Sequence, residues 1–187
     1  SGNLVTNASW KHWWLNEGFT TYVTTRILEK IYGEEVATMN LQLEQEEALT
    51  SLAEIPAAKQ ALITKDPDTS SKYHTDDALA YPKGAWFLRT LEQRAGRALF
   101  DPFLRGWFDQ HAFQSVTTEQ FVSYLRKNLL DKHPQVLSEA ELEEWLYGTG
   151  IPASATRAVS QRLAALNAAR DAWLKGDLKT AQLDTKN

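Results

Sequence analysis

Apolar residues recur at helical spacing along almost the whole chain, and glycines, prolines and capping residues divide the repeats. Leu15, Phe19, Tyr22, Val23, Ile27 and Ile31 share one stripe, which predicts a helix with a single buried face, stopped by Gly33. Val36, Met39 and Leu43, with Leu41, Ala48, Leu49 and Leu52, predict a second helix over 34–52, on which Glu44 to Glu47 read as a solvated face. Pro56 interrupts the pattern; 57–63 is expected to be a short helix, followed by a long polar loop at 65–77. Pro82 predicts a helix start, with Tyr81 at the cap in extended backbone and Gly96 as the stop. Leu99, Phe100, Phe103, Leu104, Trp107, Phe108 and His111 form the next stripe, so His111 reads as a core-edge residue. Thr117 with Gln120 and Ser138 with Glu141 make capping boxes for two further helices, the second ended by Gly148. Residues 151–156 read as a linker and 157–175 as another helix, with Val159, Leu163, Leu166 and Trp173 on one side. Nothing alternates as a hairpin or a βαβ unit would, so the expected class is all-α, with room for one short strand.

Composition narrows the functional classes. The 187 residues suffice for one well-buried domain and the start of a second. With 24 acidic against 20 basic residues, a net charge of −4, the chain lacks the basic excess that supports nucleic-acid binding. No apolar run approaches the roughly 20 residues needed to span a bilayer. The absence of cysteine excludes disulfides and thiolate metal sites within these residues. Seven tryptophans, six tyrosines and seven phenylalanines supply a large aromatic core.

Candidate chemistry gathers in three places. Glu17 lies about 200° around the first helix from Leu15, on a face shared with Thr20, Thr21 and Thr24, where short polar side chains would let another polar helix approach. By itself it is also what a helix dipole favours in a first turn. Asp66, Asp68, Ser70, His74, Asp76 and Asp77 invite a metal-loop reading. Against it, Pro67 takes the second position, and Ser71 stands where a calcium loop needs glycine. Tyr81 is a poor cap, in a position where a good one contributes about 1 kcal/mol, and such a broken local rule is a place to look for function.

The run Trp14-Leu15-Asn16-Glu17-Gly18-Phe19-Thr20, read with Gly2 to Asn7, resembles the zinc aminopeptidases of the aminopeptidase N family, most closely the branch containing leukotriene hydrolase and its bacterial relatives. Tyr81-Pro82-Lys83-Gly84-Ala85 is similar to the segment carrying that family's catalytic tyrosine, and Trp145 to Pro152 to its exit from the catalytic domain. The resemblance implies a mostly helical chain: residues 1–150 as the helical half of a thermolysin-like catalytic domain, 151–156 as a linker, and 157–187 as the start of a C-terminal helical domain. In that family two histidines of an H-E-x-x-H helix and a later glutamate hold zinc. The match makes Glu17 that glutamate, and the family spacing puts the second histidine three residues upstream of Ser1.

By the same resemblance Tyr81 inherits donation to the oxyanion formed as water attacks the scissile carbonyl. Asp68, in Asp66-Pro67-Asp68, corresponds more loosely to an aspartate shaping the substrate pocket. One departure stands out: where the family has a second glutamate that orients a histidine ligand, this chain has Thr24. The implied parent is a zinc-dependent aminopeptidase acting on peptides, with epoxide hydrolysis, or a non-catalytic helical interaction module, as alternatives. The chain by itself is expected to be inactive, to bind no zinc of its own and to self-associate through the face that a missing helix would cover.

Overall fold

The computed structural model describes residues 1–63 and 79–177. A three-residue strand β1 (Val5–Asn7) leads through a single turn into α1 (Trp14–Tyr32) and α2 (Glu34–Leu52); α3 (Pro82–Ala95) and α4 (Arg97–His111) follow, then β2 (Gln114–Val116), α5 (Thr118–Leu125), α6 (Glu139–Tyr147) and α7 (Gln161–Lys175). The all-α expectation holds. The one sheet among the described residues is the parallel pair β1–β2, in which Val5 lies opposite Gln114 and Asn7 opposite Val116.

Single glycines join α1 to α2 and α3 to α4. Gly33 (φ 87°) and Gly96 (φ 77°) adopt positive φ, which side-chain-bearing residues rarely tolerate, and each donates its N–H to the preceding helix, at Glu29 and Glu92. The chain therefore reverses in one residue, and α1–α2 and α3–α4 become two tight helix pairs. Both capping boxes form as predicted. The Thr117 and Ser138 hydroxyls accept from the Gln120 and Glu141 backbones, while both side chains reach back to the cap N–H groups.

The core is aromatic. Phe121 of α5 meets Trp14 (5.5 Å between ring centroids, edge-on), Phe19 (5.4 Å) and Trp107 (5.2 Å), which joins α1, α4 and α5 at one point. Phe87 and Trp145 extend the cluster toward α6.

Four elements depart from the sequence pattern. Ile27 and Ile31 are 52% and 63% exposed, because the inward side of the second half of α1 is taken by Tyr22, Arg26 and Glu29, which bind charged groups of α3 and α4. The 57–63 stretch makes only the turn Ala57–Lys59. The last helix starts at Gln161, since Ser160, in extended backbone, caps it through the Leu163 N–H, and 155–160 form no regular secondary structure. Val159, which precedes it, and its Leu166 and Trp173 are exposed, and within the helix Leu163 alone is buried. Tyr81 is helical (φ −69°, ψ −71°) although proline follows, because its carbonyl already accepts from the Ala85 N–H and the preceding carbonyl packs on α1.

Candidate active site

The two motif stretches meet where α1 crosses α3, at Gly18 and Gly84. A Cβ built on Gly18 would lie 2.8 Å from the Gly84 Cα and 3.3 Å from the Ala80 carbonyl oxygen; one built on Gly84 would lie 2.9 Å from the Gly18 Cα. The helices therefore touch backbone to backbone, which only glycine at both positions permits. Glu17 adjoins one contact residue and Tyr81 follows another, Ala80, so the crossing brings the first turns of both helices to one place.

Each first turn is held by its surroundings. The Asn16 side chain accepts from the Asn7 N–H (2.8 Å) and packs on Gly2, which fastens the lead-in strand beside Glu17. Thr20 donates to the Asn16 carbonyl and meets the Ser1 hydroxyl. Glu17 is half-buried, and its carboxylate is presented without a side-chain donor among the described residues. Thr20 and Thr24 are exposed beside it, and the Thr24 hydroxyl bonds to the Thr20 carbonyl (2.9 Å) within its own helix.

Tyr81 is 43% exposed and opens on a cavity of about 360 Å³ walled by Thr21, Leu41, Pro82 and Trp86, with Glu44 and Glu47 at its edge. Burial, reinforced by the like charge of Glu47, raises the pKa of Glu44. Asp68 lies outside the described residues, as does the whole 65–77 loop with its metal-loop pattern.

Sequence reasoning gave Lys83 no role, although it quoted the residue within the Tyr81 motif. Lys83 is fully buried, and its ammonium donates to the Gln60 and Gly148 carbonyls, both at 2.8 Å. Burial lowers its pKa to about 8, against the opposing influence of Glu144. The remaining histidines near the core are structural. His12 accepts from the Thr118 N–H through Nδ1, and burial lowers its pKa; His111 stacks on Trp107 and bonds to that residue's carbonyl.

Among the described residues no three acidic, histidine or cysteine side chains gather around one point. Glu17 fits a zinc site as a single oxygen ligand, partly buried and without a side-chain donor among those residues, and a closed tetrahedral set would need nitrogen ligands from elsewhere.

Residues 1–145 match the Peptidase family M1 domain. The chain is 35% identical over 164 residues to leucine aminopeptidase 2 of Eremothecium gossypii, a match covering 86% of this chain and 26% of that protein. Leucine aminopeptidase 2 of Saccharomyces cerevisiae is 35% identical over 155 residues, covering 81% and 23%. The chain thus spans about a quarter of the length of these relatives. Among solved structures, native leukotriene A4 hydrolase from Saccharomyces cerevisiae superposes with a TM-score of 0.80 at 32% identity, over 96% of this chain and 29% of that one. An M1 zinc metallopeptidase of Deinococcus radiodurans shares the fold at 24% identity, with a TM-score of 0.61 over 83% of this chain and 32% of that one. With the family domain matched over residues 1–145, and the two motif stretches packed against each other at their glycines, the chain belongs to peptidase family M1.

Proposed function

We propose that this chain is part of a zinc-dependent aminopeptidase that removes N-terminal residues from peptides, with Glu17 as a zinc ligand and Tyr81 as the oxyanion donor. The Gly18–Gly84 contact carries the reading, since it brings a carboxylate without a side-chain donor among the described residues and a partly exposed phenol to neighbouring first turns. The names of the leucine aminopeptidase relatives support the same substrate class.

Glu17 would hold the metal together with two histidines from an H-E-x-x-H helix packed on the Thr20–Thr24 face. Bound there, zinc supplies Lewis-acid polarisation of the scissile carbonyl and a lowered pKa for attacking water. The chain's own residues do the rest by position. The Tyr81 hydroxyl donates to the oxygen on which negative charge develops, from the wall of the cavity beside it. Gly18 and Gly84 set how closely the two helices approach, because a side chain at either position would force the backbones apart. The names of the yeast leukotriene A4 hydrolase structures favour epoxide hydrolysis as a second reading, and assay of the same protein on an allylic epoxide of a fatty acid decides it.

The test is Tyr81→Phe in the full-length protein, with Glu17→Gln alongside. Losing the donor should lower kcat by ~10²- to 10³-fold while KM and zinc content stay unchanged. Glu17→Gln should lower zinc occupancy as well as rate. The chain by itself, offering one of the three ligands of the proposed site, should show no tight zinc site by calorimetry. A fully metallated Tyr81→Phe protein with near wild-type kcat on an aminoacyl chromogenic substrate would remove Tyr81 from the mechanism.

A further inference from the structure

Lys83 is the one lysine among the described residues with no exposed surface, and the mechanism above makes no use of it. Its ammonium is bound by two main-chain carbonyls from segments far apart in sequence: Gln60, before α3, and Gly148, just past α6. Gln60 is itself a junction. Its side-chain amide donates to the Leu52 and Ile55 carbonyls at the end of α2, and its side-chain oxygen accepts from the Gly150 N–H. Through Lys83 the first turn of α3 is thus tied to the end of α2 and the end of α6. Backbone carbonyls are neutral, so the burial of this charge is offset only in part, by the more distant carboxylate of Glu144. Burying an ammonium carries a desolvation cost that hydrogen bonds to neutral carbonyls only partly offset.

The position of the anchor accounts for it. Lys83 sits two residues after Tyr81 and directly before Gly84, inside the turn closed by the bond from the Ala85 N–H to the Tyr81 carbonyl (3.0 Å). Tyr81 is half exposed and helical immediately before proline, where that backbone state is disfavoured, so the turn needs support beyond its own preferences. On one side Gly18 supplies a rigid stop. On the other, Lys83 draws the turn inward.

We propose that Lys83 is a positioning residue for the reaction read above: its charged anchor to Gln60 and Gly148 holds the first turn of α3 so that the Tyr81 hydroxyl meets the developing oxyanion. This rests on the assignment of Tyr81. The titratable and charged groups nearby are Glu144 on α6, which acts on Lys83 directly, and Tyr147 and Lys59, which adjoin the two acceptors in sequence. With a pKa near 8, the anchor is charged at neutral pH and discharges within an accessible range.

The experiment is a double-mutant cycle in the full-length protein, using Lys83→Met, which keeps the straight stem and removes the donor, with Tyr81→Phe. Misplacement of a reacting group costs ~10- to 100-fold, so Lys83→Met should lower kcat by that amount with KM and zinc content unchanged. The double mutant should be no slower than Tyr81→Phe alone, because Lys83 acts through the hydroxyl that Phe lacks. Multiplying losses would overturn the proposal, as would an unchanged kcat in Lys83→Met. A fast Tyr81→Phe protein beside a slow Lys83→Met protein would instead overturn the reading of Tyr81.

If Lys83→Met does not fold, amide exchange in the wild-type chain replaces it. From pH 7 to 9.5 the Ala85 amide should lose ~10-fold more protection than the Phe121 amide, an equivalent bond at the head of α5, as the anchor loses its charge. Parallel behaviour of the two amides would refute the anchor.

Discussion

Gly84→Ala tests the contact on which the site depends. The added methyl would sit 2.9 Å from the Gly18 Cα and 3.4 Å from the Trp14 ring, whereas carbon atoms in contact settle near 3.5–4.0 Å. Trp14 is fully buried against Phe19, Phe87 and Phe121, so neither neighbour yields easily, and the helices must separate by about 1 Å. Overpacking of this kind costs about 1–3 kcal/mol. Alanine's better helix propensity returns up to about 1 kcal/mol, so a net loss of about 1–2 kcal/mol is expected. For a chain of this size that lowers Tm by about 2–8 °C. Gly18→Ala should behave alike, since its methyl meets Gly84 from the other side at 2.8 Å. Urea unfolding followed by near-ultraviolet circular dichroism, which reads the buried tryptophans, measures the loss. Gly84→Ala of equal or greater stability would mean that propensity decides at this position and that the crossing is loose.

Two further outcomes follow from the surface and from α6. The Ser138 backbone N–H, together with Arg94 and the Ser138 hydroxyl, holds Glu141 near a pKa of about 2, so its stabilising contribution is present above the ordinary carboxylate range and lost as pH falls from about 4 toward 2; Glu141→Gln should flatten the fall in urea midpoint between pH 5 and pH 3. Ile27, Ile31 and Tyr32 stand exposed at the end of α1, so the chain by itself should self-associate in sedimentation and Ile31→Glu should reduce it, whereas a strict monomer at high concentration would count against that expectation.

What was legible in the sequence was what local chemistry decides. The capping boxes at Thr117 and Ser138, the helix start at Pro82 and the stops at Gly33 and Gly96 each need only a few neighbouring residues, and all formed where the pattern put them. The β1–β2 pair was not legible, because three-residue strands far apart in sequence leave no alternation to read. The stripe through Ile27 and Ile31 misled, because polar partners on α3 and α4 outcompeted it for the inward side of α1. Glu17 and Tyr81 emerged from ordered runs of residue types; that Gly18 and Gly84 bring those runs together depends on a tertiary crossing no local pattern encodes. Lys83 was passed over because buried lysine is rare enough that sequence reasoning treats the residue as surface.

A single close contact fixes a point between two helices but leaves them free to pivot about it, so the glycine crossing alone would not hold carboxylate and phenol in one relation. A second tie lies one turn further along α1, where the Tyr22 hydroxyl donates to Glu92 of α3 (2.9 Å). Glu92 is 3% exposed and also accepts from Arg89 and Arg97, while Arg26 pairs with Asp101 and Arg97 with Glu29. Burial and the adjacent Glu92 charge raise the Tyr22 phenol well above its ordinary pKa, so it remains a donor throughout the physiological range. A charge as deeply buried as that of Glu92 is tolerable only with most of its acceptor positions filled, and filling them requires α1, α3 and the head of α4 together. Rotation of α1 about the Gly18 contact would empty at least one of those positions. The buried acid and the one-residue joints at Gly33 and Gly96 therefore remove the freedom that the glycine contact leaves, and the relation of Glu17 to Tyr81 is set by two fixed points on each helix.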